Sequence, residues 1–187
     1  MNSNLQIISG AWRGRKLNIP AGARPTQNRS RIALFNILSA VDFGLLTDGG
    51  GKAATVWDSF AGSGAIGIEF LSRGWASRAI LTDSDASAIK TIRANARDIK
   101  GAEIINADAV KSIPKFAPLA DLVFIDPPFS DSNLGEKFIT EFLQYARPGT
   151  IIVWECETGT LKNLPQGLQI LKHKTYGRAE FLVMKIS

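Results

Sequence analysis

From residue 54 onward, short apolar runs alternate with segments of helical period, and this alternation leaves few folds open. A helix between two strands carries the chain back to its starting edge, so successive strands pair in parallel and the helices cover the sheet. The runs at 54–60, 78–82, 103–107, 121–125 and 150–154 predict five such strands, separated by helices over 64–73, 86–98, 109–116 and 135–146. Near the C-terminus the pattern changes. Two strand-like runs, 168–175 and 179–186, meet at Tyr176-Gly177-Arg178 and predict an antiparallel hairpin added to the sheet, making seven strands in all. A mostly parallel α/β sheet is therefore the expected class, and 187 residues suffice to bury a core without cross-links. The single cysteine, Cys156, and the single histidine, His173, exclude a disulfide framework and a Cys/His metal set. No metal is expected, a reducing cytoplasmic setting is, and no apolar run approaches the roughly 18 residues of a membrane span.

Charge is placed unevenly. Residues 1–41 hold Arg13, Arg15, Lys16, Arg24, Arg29 and Arg31 with no Asp or Glu, whereas the whole chain nets +5. This start is unlike a transit peptide, because Gly10, Gly14, Pro20, Gly22 and Pro25 deny it an amphipathic helix. Instead, 5–12 and 15–19 predict a short hairpin turning at Arg13-Gly14, 22–28 predicts a loop, and Arg29 to Val41 predicts a helix. The expected division is a basic arm, 1–28, packed on a main domain, 29–187. Such an arm suits a polyanionic partner or is simply a solvated face, and charge alone leaves both open.

Two motifs carry chemistry. The first, Asp58-Ser59-Phe60-Ala61-Gly62-Ser63-Gly64-Ala65-Ile66-Gly67, closes a predicted strand and opens a predicted helix. Its glycines let the backbone turn sharply and approach a ligand, while the helix start presents free N–H groups. Asp83 ends the second predicted strand and can accept hydrogen bonds from ribose hydroxyls. Asp108 ends the third, and can either meet an adenine amino group or cap the next helix. Asp85 reads as a cap for the helix beginning at Ala86.

The second motif, Asp126-Pro127-Pro128-Phe129, directly follows the apolar run Leu122-Val123-Phe124-Ile125. Two prolines stop the strand and stiffen its exit. The Asp126 carboxylate and the Pro127 carbonyl can accept the two hydrogens of an exocyclic amine, and Phe129 offers a stacking surface to its ring. An aromatic amine is a weak nucleophile, so fixing it toward an electrophilic methyl group supplies rate through orientation.

On these residues the chain resembles the class I S-adenosylmethionine-dependent amino-methyltransferases, and within them the small-subunit (16S) ribosomal RNA guanine-N2 methyltransferases. The basic opening carries the specific likeness: Ile7-Ile8-Ser9-Gly10, then Trp12-Arg13-Gly14-Arg15-Lys16-Leu17, then Arg24-Pro25-Thr26 with Arg29, Arg31 and Leu34-Phe35-Asn36. Where that family often has Arg before the Ile-Ile pair and Glu after the second Arg of its basic helix, this chain has Gln6 and Ile32. The resemblance implies a Rossmann-like fold with strand order 3-2-1-4-5-7-6. It implies S-adenosylmethionine as cofactor, with Asp58, Gly62 and Gly64 on its methionine side, Asp83 at the ribose, Asp108 at the adenine, and Phe60 also among the cofactor-binding residues. Asp126, Pro127, Pro128 and Phe129 would hold the guanine amine, and Arg13, Arg15, Lys16, Arg24, Arg29 and Arg31 would contact ribosomal RNA, with the protein acting as a monomer. No covalent enzyme intermediate is called for, and Cys156 reads as a buried thiol.

Rival readings remain. A nicotinamide dehydrogenase would use the same glycines and Asp83, but no substrate domain is evident. An adenine-N6 methyltransferase on DNA or RNA, or a protein glutamine enzyme, shares the Pro-Pro-aromatic turn but more often has Asn in place of Asp126. A non-catalytic RNA-binding assembly factor would have no need for both motifs.

Overall fold

The computed structural model describes residues 5–20, 28–41, 54–128, 131, 133–159 and 164–187. The N-terminal segment leads into α1 (Asn28–Ser39), followed by β1 (Ala54–Asp58), α2 (Ala65–Ser72), β2 (Ala76–Asp83), α3 (Ala86–Asn95) and β3 (Ala102–Asn106). A 3₁₀ turn (Val110–Ser112) runs into the short α4 (Ile113–Phe116), then β4 (Leu122–Ile125), α5 (Leu134–Phe142), β5 (Ile151–Glu157), β6 (Leu168–Tyr176) and β7 (Ala179–Ile186).

The seven strands form one sheet in the order β3-β2-β1-β4-β5-β7-β6, as the resemblance implied. Pairing is parallel from β3 to β5 and antiparallel at β5–β7 and β7–β6. The order reverses between β1 and β4, where the two flanking crossovers leave in opposite directions and open a crevice at the strands' C-terminal ends. Both faces are covered. Val56, Phe124 and Val153 pack beneath Phe35 of α1, Phe70 of α2 and Ile92 of α3, whereas Trp57, Val123 and Trp154 pack against Phe116, Phe138 and Phe142 on the other side. Burial on two faces explains the near-continuous apolar character of β4 and the first half of β5. On the second face, Gly135 admits the Trp154 ring, since a Cβ there would lie 2.5 Å from it.

Two expectations need correction. The helix expected over 109–116 is split into the 3₁₀ turn and α4, with Pro114 in the first turn of α4, where its missing N–H does no harm. The N-terminal hairpin is reduced to a single bridge, Gln6 to Lys16. Hairpin-like bonds do form, Ile7 N to Arg15 O at 3.0 Å and Leu17 N to Leu5 O at 2.9 Å. The next amides turn elsewhere: Ile8 and Ser9 donate to the Glu69 carboxylate at 2.8 and 2.9 Å, and Ala11 and Trp12 donate to Ser72 of α2. Residues 8–12 are thus bonded to a helix instead of to a partner strand. Gly10 makes that approach possible, because a Cβ at this position would sit 1.8 Å from the Ser72 carbonyl oxygen.

Glu69 is the hub of this junction. It is fully buried on α2, and it also pairs with Arg73 at 2.8 Å and with the buried Arg31 of α1 at 3.4 Å. Asn95 makes a second clasp, accepting from Asn18 N at 2.8 Å and donating to the Asn18 carbonyl at 3.0 Å and the Ser63 carbonyl at 2.9 Å. Removing Glu69 would leave two amides without their acceptor and take the counter-charge from the buried Arg31 guanidinium. Glu69→Ala is therefore expected to lower the unfolding free energy in urea by about 3–5 kcal/mol. Arg78→Ala, which breaks the exposed pair to Glu103, is expected to cost under about 1 kcal/mol.

Candidate active site

The glycine motif follows β1 and is anchored before it reaches any ligand. Ser59 donates through both its amide and its hydroxyl to the Phe124 carbonyl of β4, at 3.1 and 2.7 Å, while Ala61 N donates to Thr82 O of β2 at 2.9 Å. Gly62 and Gly64 then take positive φ of 53° and 76°, a region costly for residues with a Cβ, and Gly64 passes directly into α2. A Cβ on Gly62 would meet nothing within 4 Å, so this side of the turn faces open space. Gly67 has the opposite role: its missing Cβ would lie 2.2 Å from Leu81, which sets α2 close to β2.

Each expected acidic residue is placed at the same sheet edge, with different partners. Asp58 ends β1, is buried, and accepts from Gly67 N at 3.1 Å. Burial, assisted by the charges of Asp126 and Asp83 and opposed by the Gly67 amide, pushes it up to about 7. Asp83 braces the turn, with one oxygen accepting from Gly62 N at 2.8 Å and the other from Asp85 N at 2.9 Å. Asp85 caps α3 through Ser87 N and Ala88 N. Asp108 accepts from Lys111 N at 2.9 Å, so the capping arrangement is present at the turn after β3. Asp126 follows β4 and lines a cavity with Asp58, Phe60 and Gly62. Burial and the neighbouring Glu155 hold its pKa well above the usual carboxylate range. Pro127 is buried and Pro128 exposed, while Phe129 lies outside the described residues.

Sequence reasoning missed Glu155. It lies in the second half of β5, beyond the end at 154 that the apolar run suggested, because the strand continues to Glu157 by pairing with β7. Leu122, Phe124 and Asp126 alternate on one face, as do Ile151, Val153 and Glu155, and the register Ile125–Trp154 brings the two carboxylates side by side. Burial pushes Glu155 up to about 7. The only signal in the sequence was an acid inside an apolar strand, where attention fell on Cys156. That thiol is buried against the opposite face and pushed up to about 12, first by burial and then by the surrounding glutamates, so it cannot serve as a nucleophile.

The basic residues separate into distinct roles. Arg13 and Lys16 are exposed at the N-terminal turn. Arg15 is held there by Asp98 and by the Asn95 carbonyl. Beside this clasp, Lys90, Arg93, Arg97 and Lys100 are exposed on and after α3, a basic surface that the sequence analysis did not join to the arm. Arg24 and the side chain of Arg29 lie outside the described residues. Arg31 corrects an expectation: it is 1% exposed, donates to Gln6 O at 2.7 Å and pairs with Glu69, so it cannot contact RNA from the surface. It instead lines the cavity wall, together with Leu5, Ile19 and Pro20 of the N-terminal segment.

The arrangement is an acidic cavity at the topological switch point. Asp58 at the end of β1, Asp126 just after β4 and Glu155 within the second half of β5 line it together, and a bound cation would lower the cost of ionising them. A pyrophosphate would meet repulsion there, which argues against a dinucleotide. Among the described residues no group of three or more His, Cys, Asp or Glu side chains is arranged to hold a metal ion, and no helix is long and apolar enough to cross a membrane.

Comparison with known proteins agrees with this geometry. The profile of the family described as conserved hypothetical protein 95 matches residues 5–185. The chain is 37% identical over 186 residues to the ribosomal RNA small subunit methyltransferase D of Escherichia coli strain K12, covering 96% of this chain and 89% of that one. It is 33% identical over 183 residues to the protein of the same name from Haemophilus influenzae, covering 92% and 89%. A solved structure of a proposed methyltransferase from Escherichia coli superimposes with a TM-score of 0.80 at 30% identity, covering 97% of each chain.

The raised carboxyls make stability depend on pH. Folded Asp58 and Glu155 retain protons that the unfolded chain, near its ordinary values of 3.8 and 4.5, has already released. Their contribution is therefore full below pH 4 and is lost as pH rises through about 7. Asp58→Asn, which keeps a carbonyl for Gly67 N, removes one of these groups. Between roughly pH 5 and 8 the wild-type protein is expected to lose more stability than Asp58→Asn, by on the order of 2 kcal/mol in urea unfolding.

Proposed function

The chain belongs to the family described as conserved hypothetical protein 95, and from that membership we propose that it transfers a methyl group from S-adenosylmethionine to the N2 amine of a guanine in small-subunit ribosomal RNA. The observation that carries this reading is the cavity in which the glycine turn, Asp58, Asp126 and Glu155 meet. Its donor set fits the proposed cofactor. A sulfonium and an ammonium group are both cations, and the Asp58 carboxylate beside the glycine turn complements them. When bound, S-adenosylmethionine supplies a methyl carbon made electrophilic by the sulfonium.

The chain's residues then divide the work. Asp83, braced by two amides, keeps lone pairs free for ribose hydroxyls. Asp126 and the Pro127 carbonyl accept the amine hydrogens and aim the nitrogen lone pair, and Phe129 stacks on the base. The nitrogen so aimed would take the methyl group, the electron pair of the broken carbon–sulfur bond staying with sulfur. The surplus proton on nitrogen passes to Asp126, whose proton affinity is raised by burial and by Glu155, and then to water. The target base must leave its stack to reach a cavity at a sheet edge. Arg13, Arg15 and Lys16, continued by the cations of α3, would hold the surrounding phosphates, and the site of action would be the cytoplasm, on the small subunit or its assembly intermediate.

The test is nucleoside mass spectrometry after incubation with labelled S-adenosylmethionine and small subunits lacking base methylation, with naked RNA and DNA alongside. Label in N2-methylguanosine is expected; label only in N6-methyladenine or only in protein overturns the substrate. Asp126→Ala is expected to reduce transfer at least about 10³-fold while cofactor affinity, read by calorimetry, stays within about threefold. Replacing Arg13 and Lys16 with Gln is expected to weaken RNA binding and to flatten the log K against log salt slope by about 1–2.

A further inference from the structure

The mechanism above gives Glu155 only an indirect part, through Asp126, yet its position is that of a ligand-reading group. Glu155 is 7% exposed and lines the cavity, and its carboxylate has no hydrogen-bond partner among the described residues. A carboxylate in so enclosed a place and without donors is costly to ionise, and a ligand that enters the cavity with a hydrogen-bond donor would relieve that cost. Its neighbours show what kind of ligand. On one side β4 places Asp126 alongside it through the Ile125–Trp154 register, and neighbouring strands stand about 4.8 Å apart. On the other side its partner in β7 is Phe181, which is apolar and buried. Two acceptors from adjacent strands therefore line the same cavity, and Phe181, the β7 partner of Glu155, has no side-chain donor to compete for it.

The edge of guanine next to its amine has the complementary pattern. The N2 amine carries two hydrogens, and the adjoining ring nitrogen N1 carries a third, so three donor hydrogens lie along one edge. Adenine presents a lone pair at its ring nitrogen N1, which an ionised carboxylate repels. Resting on the guanine-N2 reading of the preceding section, we infer that Glu155 is a specificity-determining residue that accepts the N1–H of the acceptor guanine while Asp126 holds the amine. Contact with this donor supplies the missing partner and brings Glu155 to its ionised form. The same contact fixes the rotation of the base about its stacking axis, which Asp126 by itself leaves open. Adenine is then excluded by an unmatched charge as well as by the position of its amine.

The experiment pairs a change in the protein with a change in the base. Small subunits are assembled on RNA carrying 2-aminopurine at the guanine mapped by mass spectrometry. This base keeps the N2 amine but presents a lone pair at N1. The wild-type protein is expected to methylate guanine at least about tenfold faster, in kcat/KM, than 2-aminopurine. In Glu155→Gln, whose amide can donate to that lone pair, the preference is expected to shrink to threefold or less, on the order of the scatter between substrates. Taking the ratio within each protein cancels any general loss of folding or cofactor affinity, and comparing the two ratios cancels the O6 carbonyl that 2-aminopurine also lacks. If Glu155→Gln has no measurable turnover, Glu155→Asp, which keeps the charge but withdraws it by one methylene, is expected to show an intermediate preference. An equal preference in wild type and variant, or none in wild type, overturns the assignment. Absence of N2-methylguanosine with the wild-type protein and ordinary subunits instead overturns the guanine reading on which it rests.

Discussion

The buried carboxylate of Glu69 ties the N-terminal segment and α1 to α2. It takes two amides from the N-terminal segment, a guanidinium from α1 and another from its own helix, so four donors from three elements converge on one group. None of these contacts alone would order residues 5–20, which form no sheet of their own. Together they press Leu5, Ile7 and Leu17 into the core beneath α1 and α2. The consequence reaches the active site, because Leu5, Ile19, Pro20 and Arg31 form one wall of the cavity whose floor is the sheet edge. A polar junction remote from the chemistry thus shapes the space in which a cofactor would lie.

The floor owes its charge to the geometry of a parallel sheet. Parallel strands present their C-terminal ends at one edge of the sheet, and residues two apart along a strand share a face, so acids near those ends can gather at one cavity. Asp126 and Glu155 continue the β4–β5 register side by side, and Asp58, which pairs with Phe124, lies two residues earlier on the same face, so that all three line the cavity. Burial raises their proton affinity and mutual repulsion raises it for Asp58 and Asp126, leaving a cavity that favours a cationic ligand and can take up a proton from a reacting amine. The adjoining glycine turn is braced by the protein's own groups, since Asp83 accepts from Gly62 N and the Phe124 carbonyl accepts from Ser59. Binding therefore requires little ordering of the chain.

Much of this was legible in the residues because it rests on local chemistry. Alternating apolar runs and helical periods predicted all seven strands of the main sheet, and the glycine and Pro-Pro motifs fell at strand ends as expected. Local signals misled where a residue's meaning depends on what approaches it through space. Arg31 sits in a stretch of six cations and read as a surface contact, yet the acid that neutralises it stands 38 positions later in the chain. Glu155 read as an interruption of a strand because only β4 and β7, brought in from either side, reveal it as part of a site. The predicted N-terminal hairpin gave way to a single bridge since α2 offered its amides better acceptors than a partner strand.

The sequence by itself determined the parallel α/β sheet, the turn conformations that need glycine, the stiff exit at Pro127 and Pro128, and an acid at the end of each key strand. These follow from periodicity, backbone sterics and side-chain chemistry acting within a few residues. Only the tertiary structure decided which acids share a cavity, which arginine is buried and which cations remain on the surface. Burial and charge pairing are properties of distance in space, and Glu69 meets Ile8 across 61 residues of chain that no local pattern can span.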